Sequence, residues 1–186
     1  MWGQDEFAAH LRAGGCGVFP TDTVPGLGAK PEHSQQLYRL KGRDPAKPLV
    51  LLAGSLDQIR PYCTGWASAW EDVMARFWPG ALTLVLPASA LVPPHGQQAG
   101  SVGLRIPNHP TALALLLETG PLAATSVNLS GQPALTTPET IRYHFPDLPR
   151  LTGTYPPGTP STVIRWQAPG QWELLRQGPV VWPFSL

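Results

Sequence analysis

Residues 101–126 read SVGLRIPNHPTALALLLETGPLAATS, and this stretch decides the fold. Residues 101–106 read as a largely apolar strand. Residues 111–118 (TALALLLE) read as a helix that is apolar all round. Residues 121–126 read as a further strand. Strand, helix and strand in succession predict an α/β protein with helices covering its sheet. Upstream, the spacing of Phe7, Ala8 and Leu11 predicts a helix over 5–13, stopped by Gly14 and Gly15. Residues 16–19 form a short buried strand that runs into Pro20. Ser34 is the expected cap of a helix running through Leu37 and Leu40 to near Gly42. The unbroken apolar run at 48–53 (PLVLLA) predicts a strand covered on both faces. Ser55 caps a short helix, a longer one spans 66–78 up to Pro79 and Gly80, and a strand follows at 81–86. Downstream lie a helix over 138–145 and strands over 161–166 and 172–176. That late pair of strands predicts a mixed sheet. Residues 87–100 are long for a loop in a compact domain, which marks a functional or mobile segment. Residues 153–160 form a second turn-rich loop. No domain boundary is visible, so 1–186 is expected to be one domain.

The composition suits this picture. With 23 prolines, 19 glycines and only 13% charged residues in 186, the chain has short elements and many defined turns rather than a charged disordered tail. A net charge of +1 excludes nucleic-acid binding by bulk charge. Cys16 and Cys63 form no CxxC pair, which argues against zinc and against a disulfide scaffold, and each reads as a small buried hydrophobe. No apolar run reaches ~18 residues and the start is no signal peptide, so the expectation is a cytoplasmic protein with no membrane contact. His10, His33, His95, His109 and His144 follow no metal or triad spacing. No nucleophile and base stand together. The inventory favours chemistry by positioning and electrostatics.

Positive charge is scarce and concentrated. Two of the three lysines, Lys41 and Lys47, lie with Arg39 and Arg43 in RLKGRDPAK, where Asp44 is the only opposing charge. A compact basic turn suits a polyphosphate, although cations also favour helix C-termini without any ligand. PTDTVPGLG (20–28) offers hydroxyls and backbone donors at a strand end, without the GK[ST] of a P-loop. In ATSVNLSG (124–131), Ser126 and Asn128 alternate around Val127 and so share a face if extended. Arg105 shares a face with Ser101 and Gly103, and a buried arginine requires an acid, a carbonyl or a ligand. Ser161 and Arg176 add a hydroxyl and a guanidinium near the end of the chain.

Taken in order, PTDTVPGLGAKP, KGRDPAKPLVLL, FWPGALTLVLP, SVGLRIPNHP, ATSVNLSG, PSTV and LLRQG resemble the YrdC-like family of threonylcarbamoyl-AMP synthases over residues 20–178. The length resembles the family's single-domain form. The resemblance implies a twisted mixed α/β sheet with a concave basic groove. It also implies condensation of L-threonine, bicarbonate and ATP to threonylcarbamoyl-AMP and pyrophosphate, with Mg²⁺ carried on the ATP. The product would supply threonylcarbamoyladenosine formation in tRNA, in partnership with a tRNA threonylcarbamoyl transferase complex. Contact with tRNA or double-stranded RNA is a further implication. By position, Lys41, Arg43 and Lys47 match the basic motif at the ATP phosphates, where they would stabilise charge. Ser101, Ser126, Asn128, Thr136 and Arg176 match other nucleotide-contacting positions. Thr21, Arg105 and Ser161 match positions around the threonine, with Thr23 beside them; no metal ligand is implied. Pro25 stands where the family usually has Tyr, Val127 where it has Ala, and Leu52 where some relatives have His. Two alternatives accompany this reading. One is an RNA-binding protein of the same fold without the activity, motivated by the basic turn and seven tryptophans. The other is a paralogue that adenylates another carbamate.

Overall fold

β1 (Cys16–Phe19) and β2 (Gly26–Ala29) open the sheet as an antiparallel pair, Cys16 opposite Ala29 and Phe19 opposite Gly26. The sequence treats 26–29 as part of a loop, because GLGA holds a single large apolar side chain. Its glycines have a packing cause instead. A Cβ on Gly28 would stand 2.7 Å from the Phe19 ring, so the bare strand leaves that ring its place.

In the computed structural model, which describes residues 1–93 and 100–182, eight strands form one mixed sheet. The others are β3 (Val50–Leu52), β4 (Leu82–Pro87), β5 (Ser101–Arg105), β6 (Leu122–Ser126), β7 (Thr162–Ala168) and β8 (Gln171–Arg176). The order is β1-β2-β6-β3-β5-β4-β7-β8. β3 runs parallel to β5 and β4 parallel to β7, and the remaining neighbours are antiparallel. Six α-helices occur among the described residues: α1 (Gln4–Arg12), α2 (Gln35–Lys41), α3 (Leu56–Ile59), α4 (Ser68–Phe77), α5 (Pro110–Thr119) and α6 (Pro138–His144). The long loop expected at 87–100 is closed at its base by Ala88 N–H donating to the Gly100 carbonyl, and residues 94–99, His95 among them, lie outside the described residues.

Period-two alternation divides the sheet. Leu27, Leu51, Leu84, Leu104, Ala123 and Ile164 face one way, into the core beneath α2, α3, α4 and α6. On the other face, Phe7 and Leu11 of α1 and Ala112, Leu115 and Leu116 of α5 cover Phe19, Leu52, Leu122 and Ala124. That cover stops partway across the sheet and leaves the centre of this face open. Strand 48–53 is therefore not sealed on both sides: Leu51 lies in the core, whereas Val50 and Leu52 also border the opening. Nor is α5 apolar to every side in use. Ala112, Leu115, Leu116 and Thr119 are buried at helical spacing, while Leu117 is 59% exposed.

Two caps differ. Ser55 accepts from the Gln58 amide as expected. Ser34 does not cap α2: it is itself helical, and its hydroxyl donates 2.5 Å to the Pro31 carbonyl of a preceding 3-10 turn. The tryptophans pack against neighbouring groups, and Arg60 lies over the Trp66 ring at 4.4 Å. Trp66, Trp70, Trp166, Trp172 and Trp182 form an edge-to-face chain with centroids 5.2–6.2 Å apart. Trp2 meets His10 edge-on, and buried Trp78 donates to the Leu82 carbonyl. Part of the aromatic surface that motivated the RNA alternative is thus used in packing.

Candidate functional site

The open centre is a cleft of about 470 Å³. Its floor is made of alternate residues of five strands: Ala124 and Ser126, Val50 and Leu52, Gly103 and Arg105, Thr83 and Val85, Val163 and Arg165. Strand register aligns Ala124, Val50, Gly103, Val85 and Arg165 in one transverse row. Gly103 leaves the middle of that row bare. Arg43, Lys47, Arg105, Arg165 and Arg176 line the cleft, and no acid is among the lining residues. In a chain of net charge +1, this is where positive charge collects.

At one end, Arg105 is 5% exposed, and each of its three nitrogens makes a hydrogen bond. Its Nε donates 2.8 Å to the Gly80 carbonyl, one terminal nitrogen 2.8 Å to Thr23 Oγ1, and the other 2.6 Å to Asp22 Oδ1. The sequence leaves an acid, a carbonyl or a ligand open as its partner, and the fold supplies the first two. Thr21 Oγ1 donates to the Val24 carbonyl at 2.7 Å, so in its 3.1 Å contact with Thr23 it accepts. Arg105 thereby orders both hydroxyls. Ser161 Oγ lies 2.8 Å from Thr83 Oγ1 and accepts from Arg176 at 3.2 Å, while Arg176 Nε donates 2.9 Å to the Ser161 carbonyl. Burial pushes Arg105 down from its ordinary pKa, Asp22 opposes that, and Arg176 adds repulsion. Burial also lowers Arg176. Two desolvated guanidiniums, only one of them paired with a carboxylate, favour an additional anion.

At the other end the basic turn follows α2. Gly42 closes the helix in the left-handed region at φ 57°, where glycine carries no Cβ penalty. Asp44 Oδ1 accepts from the Ala46 amide and tightens the turn. Arg43 donates to the Lys47 and Pro48 carbonyls, and Lys47 projects exposed at the rim. Burial lowers Arg43, with Tyr38 and Asp44 opposing.

Lys41 points the other way. It is 2% exposed, does not line the cleft, and donates to the Ser126 carbonyl and, at 2.6 Å, to Asn128 Oδ1. Ser126 Oγ donates to the same Asn128 oxygen at 2.6 Å. Thus Ser126 lies in the cleft while Lys41 and Asn128 brace it from behind, and Thr136 is outside the lining. Ser101, Thr21 and Thr23 do line it, as do Pro25 and Leu52. Val127 is fully buried in the core, so its extra bulk does not narrow the cleft. Sequence reasoning missed Arg165, although its alternation with Ser161 and Val163 was a signal.

Burial pushes Lys41 down from 10.5 to about 8, with Arg43 a second cause. The unfolded chain keeps that proton up to the ordinary value. Between pH of about 8 and 10.5 the unfolded state therefore binds more protons, and Lys41 makes stability rise with pH. The stability of the wild type minus that of Lys41→Met is expected to be flat below this window and to increase across it. Denaturant titrations at several pH values would refute this by giving a constant difference.

The family model Sua5/YciO/YrdC, described as "Telomere recombination", matches residues 9–178. A Bacillus subtilis (strain 168) protein named threonylcarbamoyl-AMP synthase is 40% identical over 142 residues, covering 73% of this chain and 41% of the relative. The chain thus spans less than half the length of that relative. A Dichelobacter nodosus protein of the same name is 35% identical over 170 residues, covering 86% of this chain and 87% of the relative. The crystal structure of Pyrococcus abyssi Sua5 complexed with L-threonine superposes with a TM-score of 0.87 at 32% identity, over 94% of this chain and 54% of that one.

Proposed function

The chain belongs to the Sua5/YciO/YrdC family, and on that premise we propose that it is a threonylcarbamoyl-AMP synthase, an adenylyl-transferring enzyme acting in the cytoplasm. Threonine's amine and bicarbonate form the carbamate with loss of water. A carbamate oxygen then attacks the α-phosphorus of ATP, and the bond to the β-phosphate oxygen breaks to release pyrophosphate. The observation that carries the reading is the cleft lining, which holds cations at both ends and no acid. A reaction that joins two anions requires such a lining. The threonine carboxylate belongs at the Arg105 and Arg176 end, beside the hydroxyls of Thr21, Thr23 and Ser161. The triphosphate belongs toward Arg43 and Lys47, with Ser101 and Ser126 along the floor. Lys41 and Asn128 act as positioning residues that hold Ser126. Mg²⁺ would enter on the triphosphate as part of the substrate. The product would pass to the transferase complex that modifies tRNA.

Purified protein with ATP, Mg²⁺, bicarbonate and threonine is expected to release pyrophosphate, and Lys47→Ala to lower the rate about tenfold or more. Release no faster than in Lys47→Ala would end the reading. A second reading, adenylation of a different carbamate, is favoured by Pro25 and Leu52 at the cleft wall. Serine or another amino acid outperforming threonine in the same assay would select it.

A further inference from the structure

Arg165 is a cleft cation that neither the sequence motifs nor the packing accounts for. It lies on the cleft face of β7, opposite Val85 on one side and Glu173 on the other. Its one ionic contact among the described residues is loose: NH1 stands 3.5 Å from Glu173 Oε2, with the two side chains 33% and 45% exposed. That oxygen is better engaged by Gln167 Nε2 at 2.6 Å. Exposed pairs of this length contribute little to stability. Meanwhile Arg165 Nε is buried and has no hydrogen-bond partner. A buried guanidinium N–H without an acceptor is costly unless a ligand completes it.

The neighbouring cations are already held. Arg43 is engaged by two carbonyls, Arg105 by Asp22, Thr23 and Gly80, and Arg176 by Ser161. Arg165 sits three strands from Val50, a separation of roughly 14 Å at ordinary strand spacing. The basic turn runs directly into Val50's strand. Arg165 at one end of that row and Lys47 on the turn that leads into Val50 can grip one extended anion between them.

We infer that Arg165 is a further anion-binding residue of this cleft, its partly exposed guanidinium turning from Glu173 so that its donors, the unpaired Nε–H among them, take oxygens of the nucleotide's polyphosphate across the floor from Lys47. The inference rests on the nucleotide-binding reading above. Glu173 is then a weak competitor for Arg165 when the cleft is empty. This gives the two residues opposite signs, which a merely structural ion pair would not.

The test is calorimetric titration of the full chain with inorganic pyrophosphate and with ATP, each with Mg²⁺, alongside threonine-dependent pyrophosphate release. Arg165→Gln is expected to weaken pyrophosphate binding about tenfold. Arg165→Lys, which keeps the charge but loses the planar donor, should fall between. Glu173→Gln, which keeps the contact to Gln167, is expected to tighten binding two- to threefold, on the order of a weakly competing surface charge. Thermal midpoints should stay within a few degrees throughout. Arg165→Gln and Glu173→Gln shifting affinity in the same direction, or Arg165→Gln leaving it unchanged, overturns the inference even if the synthase assay succeeds. Retained pyrophosphate binding with loss in Arg165→Gln, but no threonine-dependent turnover, supports it while removing the synthase reading. A wild type that binds neither probe removes both.

Discussion

Arg105→Met is expected to lose about 3–5 kcal/mol of stability and about 100-fold or more in threonine affinity. The side chain is 6% exposed and its partner Asp22 16%. Truncating one member of a buried ion pair leaves the other charge without compensation, and this accounts for most of the stability cost. Thr23 Oγ1 and the Gly80 carbonyl lose a donor as well. The loss reaches function because Arg105 fixes the Thr21 and Thr23 hydroxyls. Adding Asp22→Asn to Arg105→Met removes the stranded carboxylate and should restore part of the stability, with no recovery of threonine binding. Urea denaturation and threonine calorimetry on the single and double variants separate the two effects. Wild-type threonine affinity in either variant would show that Arg105 is only a structural strut.

The second large effect comes from a glycine. A Cβ built on Gly158 would stand 1.9 Å from the Thr23 carbonyl oxygen and 2.8 Å from its carbon. Both are backbone atoms, so no rotamer change relieves the clash. Gly158→Ala must push the 153–160 loop and the Thr21–Thr23 segment apart, at a cost of about 1–3 kcal/mol. Threonine binding is expected to weaken at least about tenfold while ATP binding stays near wild type, because Arg43 and Lys47 sit on a different loop. Titrating both ligands against one preparation checks this. Equal weakening of the two, or of neither, contradicts it.

Local signals in the sequence sufficed where a strand or helix carried its own pattern. Cys16–Phe19 appears with the expected bounds, and the strands and helix of 101–126 appear within a residue or two. β2 stayed hidden because the reason for Gly26 and Gly28 is the Phe19 ring, which is a tertiary demand. Ser34 looked like a cap because residue type does not report that the Pro31 turn has already claimed its hydroxyl. The clustering of Thr21, Thr23, Arg43, Lys47, Ser101, Arg105, Ser126, Ser161 and Arg176 around one cleft followed from ordered motifs. The inward turn of Lys41 did not, since a lysine among four other charges gives no sign of facing Ser126 and Asn128. Asp22 as the Arg105 partner was equally invisible, because the two lie far apart in the chain and are joined only by the sheet.

The strand order also sets when the protein can begin to work. Gly26 must wait for Ser126, Val50 for Ala124 and Leu82 for Thr162 before the floor exists. Ser161, Arg165 and Arg176, among the last residues described, close it. During synthesis from the N-terminus, no nascent chain can hold a ligand in the complete cleft until Arg176 has left the ribosome. Pairings of such long range are also slow to form, since loop-closure entropy is lost before the contacts compensate for it. A ligand of the finished cleft therefore cannot hasten folding; it acts by retaining chains that have already arrived, through slower unfolding.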